Sequence, residues 1–195
     1  MRIRDNGVMR GFLIAAVAAA VLSASPASDY TSAKAKIESI EQDRLPPGSK
    51  VFFTPAELNA YARVEVPKVA PEGVRDPRLE LGRGAASGFA YVDFAKLKES
   101  TSGGELNWFL SQMLSGERPL RVDANIRSGG GTMQIDVQRV TIGGISISGS
   151  ALDYLIQHFL WAYYPEAKVN KPFELAHRMQ KIDVQPSGVT VTIGR

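Results

Sequence analysis

The chain contains no cysteine. That absence excludes disulfides, thiolate metal sites, cysteine nucleophiles and lipid attachment through an N-terminal cysteine. Histidine is nearly absent too. His158 and His177 are the only two and form no H-x-x-x-H pair, so a transition-metal site is not expected. No Asn-x-Ser/Thr sequon occurs. The longest uncharged apolar run, residues 11–22, falls short of the ~20 residues a membrane-spanning helix needs.

An excess of one charge is also missing from the body of the chain. Its formal charge of +3 and isoelectric point near 9.2 suggest a basic protein, but three arginines and one aspartate sit in the first ten residues. Beyond residue 27 there remain 20 basic against 19 acidic side chains. Such a balance gives no global field for collecting nucleic acid.

Those first residues read as a leader. Arg2, Arg4 and Arg10 precede the apolar run, and Ser25-Pro26-Ala27 follows with small residues at both cleavage positions. A basic region, a short apolar region and a small-x-small site make a secretory signal peptide, so 1–27 is assigned as leader and export is expected. Retention as an N-terminal anchor is the alternative. Export without cysteines or sequons suits the periplasm or exterior of a bacterium. The remaining 168 residues are enough to bury roughly 70% of their unfolded surface without covalent staples.

Residues 28–49 are expected to form an amphipathic helix and linker, because Ala33, Ile37 and Ile40 recur at helical spacing within 31–44 before Pro46-Pro47-Gly48. A single α+β domain is expected over 50–195. It begins with a well-specified helix start: Thr54 as cap, Pro55 in the first position and Glu57 closing a capping box. Residues 64–78, interrupted by Pro67, Pro71 and Pro77, are expected to be an irregular edge segment. "LELGRGAASGFAYVDF" reads as two strands around a glycine turn. A short helix is expected from Glu105, with Trp108 on its polar side as an interaction anchor or a covered residue.

Alternation is clearest in "LRVDANIR", where Leu120, Val122, Ala124 and Ile126 alternate with polar residues, and again at Met133, Ile135 and Val137. This predicts a hairpin apolar on one side. Its three glycines are followed by neither Lys-Ser/Thr nor a helix, so they are not a phosphate cradle. Parity slips at Gln138-Arg139 and at Gly143-Gly144, and each slip predicts a bulge or bend and hence a curved sheet.

"VTIGGISISGSALDYLIQHFL" raises the question of a serine nucleophile. The Gly-x-Ser-x-Gly elbow is incomplete, since Ser148 stands where its second glycine belongs, and Ser146 falls inside an alternating strand. Ser148 or Ser150 is expected instead to cap a helix over 150–164, with Asp153 closing an approximate capping box. No enzyme activity and no cofactor are expected. Leu152, Leu155, Ile156, Phe159, Leu160 and Tyr163 give that helix a broad apolar face. Against a sheet the face is a core or one wall of an apolar cavity. Any helix beyond Pro172 should begin near Phe173, and "KIDVQPSGVTVTIG" closes the chain as a hairpin.

The order of "FTPAELNAY", a strand pair, a polar/apolar hairpin, "VTIGGISIS" before an apolar helix, and "IDVQPSGVTVTI" resembles bacterial extracytoplasmic proteins of the YpmS-like type. More distantly it is similar to tubular lipid-binding, or TULIP-like, domains. The resemblance covers about residues 50–195 and is carried by Thr54, Glu57, Leu58, Asn59 and Ile142-Gly143. YpmS-like proteins commonly keep their N-terminal membrane helix, whereas this leader reads as cleavable. The resemblance implies a curved antiparallel sheet wrapped around two or three helices, enclosing an apolar groove, and a non-enzymatic role at the cell envelope. The expected partner is a lipid or other amphiphile, with peripheral membrane contact compatible with that role. Val122, Ile135, Leu152, Leu155 and Phe159 are the expected groove or core positions, and Trp108 and Trp161 the contacts at its mouth. The alternative is an envelope scaffold with a filled core and a protein-binding surface around Trp108 or segment 64–78.

Overall fold

A computed structural model describes residues 25–70, 72–94, 96, 116–157, 161 and 169–195. The fold is α+β with antiparallel sheets, as the alternation predicts. Helix α1 spans Pro26–Glu41, capped by the Ser25 side chain, which accepts from the Ser28 amide. It starts earlier and ends sooner than the expected 31–44, because Ser25 and Pro26 supply a start signal that apolar spacing does not register. Strand β1 is Lys50–Phe53, and helix α2 is Pro55–Val69 with the Thr54/Glu57 capping box closed in both directions.

Segment 64–78 lies at a sheet edge, as expected, but apart from the undescribed residue 71 most of it is regular, contrary to expectation. Helix α2 continues through Pro67, and strand β2 occupies Val74–Gly82. A proline inside a helix deprives the carbonyl four residues earlier of its donor. Here Pro67 and Arg63 are both exposed, so water can take that carbonyl, and Ala70 N still donates to Val66 O at 2.8 Å.

Strands β3 (Ala85–Asp93), β4 (Glu117–Gly129), β5 (Thr132–Ile142) and β6 (Ile145–Ile147) extend β2 into a sheet in sequence order, with the two-residue strand β7 (Phe173–Glu174) pairing β5. Phe173 thus opens a strand, not a helix. The first predicted parity slip is a bulge: Asp123 pairs Arg139 and Ala124 pairs Val137, leaving Gln138 unmatched. The second is the Gly143-Gly144 turn into β6, both glycines at positive φ.

Helix α3, Ser150–Leu155, follows. Its cap is Gly149, with no side-chain cap bond, so neither Ser148, Ser150 nor Asp153 plays the expected capping part. Strands β8 (Met179–Gln185) and β9 (Gly188–Ile193) form the closing hairpin, joined by β1 into a separate three-stranded sheet ordered β1-β9-β8.

The two sheets meet along β8. Gly84 N, in the β2–β3 turn, donates to Val184 O at 2.9 Å, and Gly131 N, in the β4–β5 turn, donates to Gln180 O at 2.9 Å. Ile182 N donates to Ser128 Oγ at 2.9 Å. An open strand edge is a template for unwanted pairing, and here hairpin turns of the larger sheet cover it.

Each sheet has its own core. Ile40 of α1 packs with Phe53, Val191 and Ile193 on the small sheet. Leu152 and Ile156 pack with Val92, Phe94, Ile142 and Ile147 on the larger one. No helix among the described residues is long and apolar enough to cross a membrane.

Candidate functional site

The larger sheet has two unlike faces, set by the period-two alternation of its strands. On the inner face, cross-strand partners line up as Leu79–Gly88–Val122–Val140–Ile147 and then Leu81–Ala86–Ala124–Val137. Ile126 pairs Ile135 beyond them, and Ile135 bridges to Val169. The bulge at Gln138 keeps these rows on one side: in an unbulged strand Val137 and Val140, three residues apart, would face opposite ways.

Burial grades along this face. Ile142 and Ile147, under α3, are buried, whereas Val122, Ala124, Ile126 and Ile135 are half-buried. Of the residues expected to line a groove, Leu152 lies in the buried cluster, and Val122 and Ile135 lie on the same sheet face, farther along it. Leu155 closes α3 through its backbone. Phe159 and Trp108, with the helix expected from Glu105, lie outside the described residues.

Trp161 is 37% exposed and lines a cavity of about 210 Å³ with Asp153, Ile156, Gln157, Val169 and Lys171. Val169 belongs both to this cavity and to the bridge with Ile135. The cavity therefore opens where the half-buried rows end. Asn170 fixes that corner: its N–H donates to Ile135 O at 2.9 Å and its Oδ1 accepts from Val137 N at 2.9 Å.

The outer face is charged and internally paired. Arg121 donates to Asp123 at 2.8 Å, and Ser87 Oγ donates to the same carboxylate at 2.6 Å. The Ser87 bond leads in holding Asp123 below its ordinary pKa; partial burial opposes it, and Arg121 assists. Arg78 and Arg121 sandwich the Phe89 ring, at 4.7 and 4.8 Å from its centroid, and Arg75 lies over Tyr91 at 4.6 Å. Ser146 is on this face, its hydroxyl 3.3 Å from Thr141 Oγ1. His177 sits in a tight turn at φ 53°, exposed. Among the described residues no cluster of three His, Asp or Glu side chains could hold a metal ion.

A second cavity, of about 370 Å³, lies where β2 bulges, lined by Arg63, Arg78, Phe89, Tyr91 and Leu120 among others. Sequence reasoning did not find it. It depends on a one-residue mismatch that period counting across a proline cannot register. No protein-family model, no curated protein and no solved structure matches the chain.

Proposed function

We propose that the chain is an exported envelope protein that holds an apolar, lipid-like ligand between the inner face of the larger sheet and the α3 side, without catalysing a reaction. The observation that carries this reading is the continuation of apolar rows past the filled cluster. Val122, Ala124, Ile126 and Ile135 remain half-buried, and their row ends beside a cavity bearing Trp161 and Val169. Apolar walls with a few polar groups to fix orientation are what amphiphilic ligands require, and Asp153, Gln157, Asn170 and Lys171 put the polar groups at the cavity end. The leader supports export, and the pattern shared with YpmS-like and TULIP-like proteins supports an amphiphile as cargo.

Native mass spectrometry after mild extraction tests the proposal, with a co-purified lipid expected at one per chain. Uptake of a fluorescent diacylglycerol, which carries no carboxylate for the arginines elsewhere on the fold, should fall at least about tenfold in Ile135→Asp, because a charge on that wall must be desolvated when the ligand enters. A protein that carries no lipid and takes up none of the probe overturns the reading.

One observation favours a second reading. Leu152 and Ile156 fill the space over Val92, Ile142 and Ile147 with side chains, as in a scaffold whose core is closed. In that case cross-linking in cells captures a stoichiometric protein partner while no lipid co-purifies.

A further inference from the structure

The β2 bulge is built in an unusual way. Arg75 pairs Tyr91 and Arg78 pairs Phe89, so Asp76 and Pro77 together face the single residue Ala90. Asp76 takes a left-handed φ of 52°, which aspartate tolerates better than most residues, and Pro77 turns inward and is buried. Bulges commonly re-aim side chains beside binding sites. This one leaves the 370 Å³ cavity, a size in the range of small-molecule sites.

Its walls are Phe89, Tyr91, Pro119 and Leu120, with Tyr91 43% exposed. Its cations are Arg63 and Arg78. Arg78 is already engaged, stacked on Phe89 and 3.2 Å from Glu80. Asp76, the carboxylate in the wall, is bound by Arg75. Arg63 is different. Among the described residues no carboxylate lies within ion-pair distance of its guanidinium, whereas the other arginine of the lining, Arg78, has one.

Nor is Arg63 placed casually. One turn before it on α2, Asn59 clamps β2: its Nδ2 donates to Leu79 O at 2.9 Å and its Oδ1 accepts from Leu79 N at 2.8 Å. The helix face that carries Arg63 is thereby fixed against the bulged strand.

We infer that this cavity binds a small monocarboxylate with an apolar tail, the carboxylate held by Arg63 and the tail lying against Tyr91 and Pro119. A guanidinium presents paired donors that match a planar carboxylate. Two arginines against one aspartate leave a single net positive charge in the lining, which suits a monoanion better than a phosphate dianion. Ala90 and Leu120 of this lining also pack on the inner-face cluster, but Ile135, Trp161 and Val169 of the proposed groove do not line it.

Isothermal titration of the full chain with decanoate, decanol and acetate tests the assignment. Decanoate is expected to bind one to one, with decanol and acetate each at least about tenfold weaker. Arg63→Gln, at an exposed position, should weaken decanoate by about tenfold or more while Ile135→Asp leaves its affinity unchanged. If thermal melts show that Arg63→Gln is unfolded, Arg63→Lys supplies the reading, with a several-fold loss expected because the fork geometry is gone. Absence of decanoate binding, equal binding of decanol, or indifference to both Arg63 variants overturns the proposal. Loss of decanoate in Ile135→Asp alone also overturns it and assigns the probe to the groove.

Discussion

Glu57 shows how a residue can be read correctly and incompletely. Its place in "TPAE" identifies a capping box, and the box is present: Glu57 N donates to Thr54 Oγ1 at 3.1 Å and Thr54 N donates to Glu57 Oε2 at 2.8 Å. The sequence does not disclose that α1 delivers Ser32 and Lys36 to the other carboxylate oxygen, with Lys36 Nζ at 2.6 Å. Burial pushes the Glu57 carboxyl up, but bonds from Lys36, Ser32 and the Thr54 amide outweigh it and hold the pKa below the ordinary value. A carboxyl that binds its proton less tightly when folded stabilises the fold above its unfolded pKa of ~4.3, and that contribution is lost as pH falls through the lower folded value. Glu57→Gln should therefore cost about 1–3 kcal/mol at pH 7, discounted for the partly exposed Lys36. The gap to the unsubstituted protein should close as pH drops below ~4.3. Urea titrations at a series of pH values give the comparison; a gap that is constant from pH 7 to pH 3 contradicts the account.

At the scale of elements, what was legible is whatever leaves a period. Hairpins β2–β3, β4–β5 and β8–β9 follow from alternation and glycine turns, and the bulge at Gln138 follows from a slipped parity. What was not legible depends on partners far away in sequence. Pro67 suggests an interruption, yet its tolerance is decided by solvent at Arg63, which no local pattern encodes. Gly149 caps α3 without a side chain, so the neighbouring serines mislead. Asn59 pins α2 to β2, satisfying both backbone groups of Leu79 on an edge strand. Asn59→Leu removes both partners and should cost about 1–3 kcal/mol. Hydrogen exchange at the Leu79 amide should accelerate, with little change at amides in the middle of β4. Unchanged exchange at Leu79 would mean that α2 is held some other way.

For the whole molecule, the unforeseen feature is the division into two sheets. Alternation tells which side of a strand is apolar but not which strands are neighbours, so the closing hairpin could not be separated from the rest by pattern alone. The separation is structural without being independent. Val184 O and Gln180 O, on the outer edge of β8, are satisfied by the two hairpin turns of the larger sheet, and Ile182 N by Ser128 at the end of β4. Freeing either sheet would exchange these bonds for bonds to water, a net loss of about 0.5–1.5 kcal/mol each. The two cores should therefore melt together. Gly188 offers a way to ask. A Cβ there would stand 2.3 Å from Phe53 O and 2.5 Å from the Phe52 ring, at a φ of 149° that side chains rarely adopt. Gly188→Ala must push β9 from β1, at a cost of about 1–3 kcal/mol or more. Leu152→Ala, in the other core, should cost about 2–5 kcal/mol. With one cooperative unit, either substitution lowers a single denaturant midpoint, and exchange protection falls by the same free energy at amides in β3–β5 and in β8–β9. Two separate transitions, with Gly188→Ala moving only the small sheet, would show that the turns merely touch β8 and do not couple the halves.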